Sequence, residues 1–332
     1  MNNLLEVKDL CMHFYTGSKG IINRKKQFIY AVDKVSFTIK KGETLGIVGE
    51  SGCGKSTVVR TLARLYTPTS GEVFLNGKNL SAMNQREILE ARRNMQIVFQ
   101  NPYASLNPRM TTENIIAEPL WIYKKYRLLN MSNAEIKTRV EKLMDMTGLL
   151  KRYKNRYPHE FSGGQRQRIG IARALALNPS LILADEPVSA LDVSIQAQIL
   201  NVFKDIQREL GLSYLFIAHD LAVIEYISDR VAVMYLGKIV EISDYNDLYE
   251  NPRHPYTQAL LSSAPIPDPK IEAERKCIIL SGDVPSPNTR RPGCSFYGRC
   301  SCRMDKCKIS QPQLKAEKNG NEFHMTACFL YE

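Results

Sequence analysis

The segment from Gly49 to Thr57 has the residue types and spacing of a phosphate-binding loop. Its sequence, GESGCGKST, fits G-x-x-x-x-G-K-[ST], and the glycines let the backbone curl until its N–H groups point at phosphate oxygens. In such a loop Lys55 reaches the β- and γ-phosphates of a nucleotide, and the Ser56 hydroxyl can bind Mg²⁺. A buried strand must precede the loop and a helix must follow it. The segments Thr44 to Val48 and Ser56 to Leu65 predict both.

Two carboxylates, Asp185 and Glu186, follow an apolar segment from Leu181 to Ala184. An apolar strand that delivers an acid beside a phosphate loop holds Mg²⁺ through that first carboxylate. The second carboxylate is placed to polarise an attacking water. Taken alone, two surface acids at the end of a strand would be an equally good interpretation.

A third motif, FSGGQ at 161–165, precedes a helix predicted from Arg166 to Leu177. Ser162 is a suitable N-cap, and the two glycines expose a helix N-terminus whose dipole favours anionic phosphate. As a helix cap alone the motif would be ordinary. Its position, shortly before the strand that ends at Asp185, gives it weight.

In this order and spacing the three motifs resemble those of the ABC ATPase family, in which the helix tip of the third motif binds the γ-phosphate of ATP held by the opposite subunit. Gln100 resembles the family's Q-loop glutamine, Asp192 its D-loop aspartate and His219 its switch histidine. The resemblance implies ATP and Mg²⁺ as cofactors. It also implies catalysis by Glu186 and His219, and Mg²⁺ ligation by Ser56, Gln100 and Asp185. The residues implied to contact the subunit's own ATP are Phe14, Gly49, Glu50, Ser51, Gly52, Cys53, Gly54, Lys55, Ser56, Thr57 and Gln100. Those implied to contact the partner's ATP are Ser162, Gly163, Gly164, Gln165 and Asp192.

An aromatic residue near the N-terminus is expected to stack on adenine. Phe14 fits this role best, and Tyr15 is the rival. An additional basic loop at 16–29 blurs the alignment at this point.

Composition agrees with an ordinary globular ATPase. The chain has 332 residues, of which 44% are hydrophobic, and a formal net charge of +11. A basic excess can indicate a nucleic-acid or anionic-membrane partner, but no block of five or six like charges occurs, and we expect no nucleic-acid partner. The apolar runs are too short to span a bilayer and the N-terminus lacks a signal-peptide core. We therefore expect a cytosolic chain that meets the membrane through partners.

Short apolar runs that alternate with amphipathic helices predict an α/β fold. Further strands are expected at Gly71 to Leu75, Ile97 to Phe99 and Ser213 to Ala218, and a hairpin from Arg230 to Glu241. A helical region is expected from Thr111 to Tyr157, with Pro119 and Pro158 as interruptions. The resemblance implies an ABC-type P-loop ATPase: a RecA-like core with an antiparallel β subdomain and a helical subdomain (about 101–175). Composition changes near Arg253, which predicts an ATPase domain at 1–252 and a small Cys-rich extension at 253–332.

Three long stretches, at 157–200, 213–241 and 251–269, are similar to the oligopeptide/dipeptide importers, and DEPVSALDVSIQAQ (185–198) resembles their F-type ATPase. The resemblance implies a heterodimer with a D-type ATPase subunit, two membrane permease subunits, an extracytoplasmic substrate-binding protein, and a peripheral position on the cytoplasmic face of the cell membrane. The alternatives are a soluble ABC ATPase of DNA repair, translation or cluster assembly, a redox sensor, and an importer of another cargo such as nickel chelates. The cargo cannot be read from this subunit.

Six of the eight cysteines fall in the last 56 residues, which in a reducing compartment indicates a metal site rather than disulfides. From spacing alone zinc and iron–sulfur both remain open. Similarity to the peptide-importer tail implies a [4Fe–4S] cluster held by Cys294, Cys300, Cys307 and Cys328. Cys302 lies outside that pattern and competes for the third position.

Overall fold

The computed structural model describes residues 3–19, 25–263, 277–280, 282, 285, 286, 288, 292–316 and 323–332. Residues 20–24 and 264–276 are among those outside this set. The prediction of a loop at 16–29 is wrong for its described parts, because residues 16–19 and 25–29 are strand. The chain forms two compact units. Unit 1 comprises residues 1–5, 39–44 and 75–218, and unit 2 comprises residues 6–38, 45–74 and 219–332.

The elements follow one another in the alternation that the sequence predicts. The strands are β1 (Asn3–Lys19), β2 (Lys25–Lys40), β3 (Thr44–Val48), β4 (Ser70–Leu75), β5 (Lys78–Asn79), β6 (Met95–Val98), β7 (Leu181–Asp185), β8 (Ser213–Ile217), β9 (Arg230–Tyr235), β10 (Lys238–Asp244), β11 (Lys315–Ala316) and β12 (Met325–Thr326). The helices are α1 (Lys55–Leu62), α2 (Gln85–Asn94), α3 (Pro102–Ser105), α4 (Thr112–Lys125), α5 (Asn133–Met146), α6 (Gly163–Leu175), α7 (Val193–Leu210), α8 (Leu221–Ile227), α9 (Tyr245–Glu250), α10 (Pro255–Ser262) and α11 (Asp305–Ile309).

Unit 1 is built on the parallel strands β6, β7 and β8, which lie side by side in that order. All five residues of β7 and all five of β8 are buried. Parallel strands covered on both faces form continuous apolar runs rather than alternating patterns, and this is why both segments were recognisable. The register pairs Leu181 with Ser213 and Asp185 with Ile217, so the carboxylate lies where both strands end.

Helices α4, α5 and α6 pack on one another in the same unit. The expected interruption at Pro119 is wrong, because α4 continues through this residue from Thr112 to Lys125. Its buried residues Ile115, Ile116 and Leu120 lie on both sides of the proline. Packing of that face outweighs the hydrogen bond that the proline cannot donate.

Unit 2 contains two sets of strands. In one, β1 lies between β2 and β4; in the other, the order is β11, β12, β10, β9 and β3. Strand β3 pairs in parallel with β9, and β9 and β10 form the predicted hairpin, with Gly237 in the turn at φ 80°. The C-terminal strand β12 pairs antiparallel with β10, with Thr326 opposite Glu241.

Three predicted boundaries shift by a few residues. The helix after the phosphate loop ends at Leu62 instead of Leu65, and β6 covers Met95–Val98 instead of Ile97 to Phe99. Helix α6 begins at Gly163, three residues before the predicted start, and ends at Leu175. It begins early because Ser162 and Gln165 form a reciprocal cap that draws both glycines into the first turn.

Within the described residues, no helix is both long enough and apolar enough to cross a membrane.

Candidate nucleotide site

The loop between β3 and α1 requires glycine at two positions for a steric reason. Gly49 and Gly54 have φ of 150° and 111°, values that residues with a side chain rarely adopt. A Cβ atom on Gly49 would lie 2.1 Å from the carbonyl oxygen of Met234, and one on Gly54 would lie 2.0 Å from that of Ala31. Backbone therefore closes against backbone at both ends of the loop, as the sequence pattern predicts.

Lys55 is turned into this loop and is only 4% exposed. Its Nζ donates to the carbonyl oxygens of Gly49 (2.7 Å) and Glu50 (3.1 Å). A longer hydrogen bond of 3.9 Å runs from the same Nζ to Cys53 Sγ. The loop thus holds the ammonium charge at its centre.

The first variable residue of the loop, Glu50, is held from outside the loop. Its N–H donates to the hydroxyl of Tyr256 (2.9 Å), and its Oε2 accepts from Nη1 of Arg299 (2.8 Å). The bond to Glu50 is the main reason that the pKa of the Arg299 guanidinium is raised. Neither Tyr256 nor Arg299 is among the site residues that the sequence predicts.

Unit 1 carries the two carboxylates. Asp185 ends β7 and is 1% exposed. Glu186 follows in the left-handed region at φ 48°, and its N–H donates to the carbonyl oxygen of Ile217 on β8 (3.1 Å). Its own carbonyl accepts from the Ser189 hydroxyl (3.1 Å). These bonds fix a backbone conformation that costs a residue with a side chain about 1–2 kcal/mol.

Gln100 and Glu186, which are 86 residues apart in the chain, are brought into contact. The Gln100 side-chain amide donates from Nε2 to Oε2 of Glu186 at 2.8 Å. Because Nε2 is used in this way, the amide oxygen is left as the acceptor end of the side chain. An amide oxygen suits a hard cation such as Mg²⁺.

The third motif forms the first turn of α6. The Ser162 hydroxyl accepts from the Gln165 N–H (3.3 Å), and Gln165 Oε1 accepts from the Ser162 N–H (3.1 Å). Cβ atoms on Gly163 and Gly164 would lie 3.1 Å from a Leu191 methyl and 2.4 Å from an Ile195 methyl. Both glycines therefore allow the N-terminal turn of α6 to approach the chain around the start of α7.

Asp192 caps α7. Its Oδ1 accepts from the Ile195 N–H (3.0 Å) and from the Ser194 hydroxyl (2.8 Å), and these bonds lower the pKa of the carboxyl group.

His219 directly follows Ala218 and is exposed. Of the two candidate aromatic residues, Phe14 packs edge-on against Tyr66, with ring centroids 5.2 Å apart. Tyr15 packs edge-on against Phe28 at 5.7 Å and is 57% exposed. Both rings belong to β1, and the choice between them for adenine stays a prediction.

Five cysteines of the C-terminal segment line one small cavity of unit 2, together with His254, Phe296 and Met304: Cys294, Cys300, Cys302, Cys307 and Cys328. Burial is the largest cause of the raised pKa values of Cys294, Cys300 and Cys328, the last to about 11. Gly293 allows the chain to close here, since its Cβ would lie 2.2 Å from the Cys307 carbonyl oxygen. A set of thiols that faces an apolar cavity suits a soft metal centre.

A second group of possible ligands, Cys11, His13 and Asp33, has ligand atoms within 4.8 Å of one another. The ammonium group of Lys238 lies 2.6 Å from Asp33 Oδ2. That cation already balances the carboxylate, and we assign no metal to this group.

Two family models match the chain. The model described as ABC transporter matches residues 32–189. The model described as oligopeptide/dipeptide transporter, C-terminal region, matches residues 240–307.

Among curated proteins, the chain is 51% identical to the oligopeptide transport ATP-binding protein AppF of Bacillus subtilis, over 99% of this chain and 97% of the relative. It is 50% identical to the oligopeptide transport ATP-binding protein OppF of Escherichia coli, over 98% and 95%. Among solved structures, the dimeric ATP-binding cassette MJ0796 bound to ADP and Pi matches with a TM-score of 0.63 and 32% identity, over 73% of this chain and 98% of that one. The chain therefore belongs to the ABC transporter family as one of its ATP-hydrolysing subunits, in the group that carries the oligopeptide/dipeptide transporter C-terminal region.

Proposed function

We propose that this subunit energises the import of oligopeptides or dipeptides across the cell membrane. The observation that carries the proposal is the identity of about half of all residues to proteins named for oligopeptide transport, along nearly the whole of both chains. The match to the transporter C-terminal region at 240–307 supports it. The subunit would lie on the cytoplasmic face of the membrane, against two permease subunits that are supplied by an extracytoplasmic substrate-binding protein.

The working form is a heterodimer with a D-type ATPase subunit. In this arrangement Ser162, Gly163, Gly164 and Gln165 of one subunit contact the ATP bound by the other, and Asp192 crosses the same interface. The first turn of α6 suits this role because its N–H groups and dipole favour phosphate. The similar MJ0796 cassette is dimeric in its solved structure, which supports a paired arrangement.

Each ATP is bound by the loop from Gly49 to Thr57, with Lys55 on the β- and γ-phosphates and Phe14 against adenine. Ser56, Asp185 and Gln100 would hold Mg²⁺, and their oxygen donors suit that ion. Bound there, Mg²⁺ would neutralise charge on the phosphates.

Glu186 acts as the base that orients the attacking water, and His219 contacts the γ-phosphate. The hydrogen bond from Gln100 to Oε2 of Glu186 helps to fix the orientation of the carboxylate. Such a base need only orient the water, because phosphoryl transfer passes through a loose transition state.

Turnover by the assembled transporter tests these roles. Glu186→Gln should retain ATP binding and lower hydrolysis by about 10²–10⁴-fold, the contribution of a positioned base, and labelled-peptide uptake should fall with it. Glu209→Gln, an exposed residue on α7, is the matched control and should behave as wild type. Hydrolysis by Glu186→Gln near the wild-type rate would contradict the assignment. ATP hydrolysis without peptide uptake by the wild-type complex would instead contradict the assignment of peptides as the cargo.

We further propose that residues 253–332 form an extension that binds a [4Fe–4S] cluster through Cys294, Cys300, Cys307 and Cys328, beside an ATPase domain at 1–252 with its helical subdomain at about 101–175. The shared cavity of the thiols supports a metal centre, and the resemblance to peptide-importer tails favours iron–sulfur over zinc. The bound centre would supply cross-links that tie down a segment with little core of its own.

Anaerobic purification with iron, sulfide and zinc assays tests the centre. We expect about four irons per chain and absorbance near ~400 nm. Cys300→Ser should lose iron, whereas Cys277→Ser, exposed and outside the cavity, should keep it. Cys302→Ser decides whether that residue competes for the third position. One zinc per chain without iron would contradict the cluster, and a folded, metal-free extension would contradict any metal centre.

A further inference from the structure

Two side chains of the C-terminal segment (residues 253–332), Tyr256 and Arg299, contact Glu50 of the phosphate loop. Arg299 meets its carboxylate at 2.8 Å and the Tyr256 hydroxyl accepts its N–H at 2.9 Å. The Arg299 side chain is 9% exposed and the Glu50 side chain 26%. This ion pair is therefore shielded from water far more than a surface pair, which contributes about 0–1 kcal/mol.

The backbone of Glu50 also takes part in hydrogen bonds within the phosphate loop. The carbonyl of the same residue accepts from Lys55 Nζ (3.1 Å) and from the N–H of Cys53 (3.2 Å). A shift of Glu50 thus moves one of the two carbonyls that hold the Lys55 ammonium group. Arg299 and Lys55 are thus linked by hydrogen bonds to the same residue, Glu50.

The residues around Tyr256 and Arg299 are closely packed. Phe296 is 1% exposed and lies against Tyr235, Tyr256 and His254, with ring centroids between 5.2 and 5.6 Å apart. Backbone bonds from Tyr297 to Cys294 and from Arg299 to Phe296 close the turn that presents the guanidinium group. The backbone of Arg299 is therefore fixed by this turn, independently of the side-chain contact with Glu50.

We infer that Arg299 and Tyr256 are positioning residues for ATP binding, which hold Glu50 so that the phosphate loop and Lys55 are pre-organised for the nucleotide. A loop already fixed in its binding conformation loses less freedom when ligand arrives and binds more tightly. Without these contacts the loop must order itself on binding, and ATP affinity falls. The inference rests on the proposed role of Lys55 at the phosphates.

The experiment measures the ATP dissociation constant of the full-length chain by displacement of a fluorescent nucleotide. Arg299→Gln and Glu50→Gln should each raise the dissociation constant about fivefold to tenfold, the range expected for one partly shielded, charge-assisted hydrogen bond. The double variant should bind no more weakly than either single variant, because both remove the same contact. Arg299→Lys, which keeps the charge, should recover part of the affinity.

Lys306→Gln is the matched control. Lys306 lies in the same segment and makes its ion pair with Glu332, at 3.0 Å. Its loss should leave ATP affinity unchanged. Lys55→Ala tests the proposed function separately: if it binds ATP as wild type does, the assignment of the loop fails, whatever Arg299 does.

Hydrogen exchange in the C-terminal segment distinguishes positioning from folding. Glu50→Gln alters no residue of that segment, so it should raise the dissociation constant while exchange at 305–309 stays as in wild type. The inference is overturned if Glu50→Gln and Arg299→Gln bind ATP as wild type does. It is also overturned if their effects add fully in the double variant, because two separate contributions would then be at work.

Discussion

The strand β12 is held in unit 2 by a buried histidine, and changes to its two carboxylate partners should lower the local stability to different extents. His324 is completely buried, and its ring nitrogens face Oε1 of Glu241 at 2.7 Å and Oδ2 of Asp247 at 2.8 Å. Each ring nitrogen therefore has a carboxylate oxygen within hydrogen-bond distance. Glu241 also accepts the backbone N–H groups of Arg253 and His254 (2.8 and 2.9 Å).

Glu241→Gln should therefore destabilise this region strongly. The carboxylate accepts three hydrogen bonds, whereas an amide offers one oxygen and turns an NH₂ group toward a remaining donor. At least one buried donor loses its partner, and the new NH₂ gains none. Each such group costs about 1–3 kcal/mol. We expect a loss of about 3 kcal/mol in local opening free energy.

Asp247→Asn provides the graded comparison. The Asp247 side chain is 26% exposed, so its amide can rotate or bind water, and the loss should stay below about 1 kcal/mol. The amide of Ala327, which donates to the Val240 carbonyl at 2.8 Å, reports the opening of β12 from β10 by native-state hydrogen exchange. Equal protection in wild type and Glu241→Gln, or a larger effect from Asp247→Asn, would refute this account of the network.

Four further substitutions separate steric from chemical requirements. Gly54→Ala should abolish ATP binding, because its Cβ meets backbone at 2.0 Å, whereas Gly52→Ala, with φ 78° and no atom within 4 Å of its Cβ, should cost only about 1 kcal/mol in strain; nucleotide titration of both variants checks this. Gly170→Ala lies inside α6 with open space around its Cβ and should raise the unfolding free energy by about 0.5–1 kcal/mol in urea titrations. Gly163→Asp should spare ATP binding by the isolated chain and stop hydrolysis by the assembled complex; loss of binding in the isolated chain would contradict a role toward the partner's nucleotide.

The chemistry of the phosphate loop could be predicted because local sequence determines it. The glycines at 49 and 54 are required by the backbone conformation and by close contacts, and these constraints limit the amino acid at each position. The apolar strands β3, β7 and β8 were visible for a related reason, since complete burial removes the polar residues that would otherwise blur the pattern. In these cases the residues of a single segment are sufficient to predict its local structure.

Contacts between distant segments could not be predicted in this way. Gln100 and Glu186 were each identified, yet nothing in either segment shows that one donates to the other across 86 residues. The continuation of α4 through Pro119 depends on the helices packed against it, which a local rule against proline cannot include. The same limit applies to His324, an isolated histidine in the sequence that lies between two carboxylates in the fold.

The C-terminal segment has two anchors in unit 2, and their chemistry differs. At β10, the fully buried His324 lies between Glu241 and Asp247, and β12 pairs with the strand. At the phosphate loop, Arg299 pairs with the partly exposed Glu50, and this ion pair can open while Tyr256 and Phe296 stay buried in the core. Opening of the Arg299–Glu50 pair should therefore cost less free energy than separation of β12 from β10. Since Cys300 directly follows Arg299, changes in the thiol cavity should alter ATP affinity while the segment stays attached.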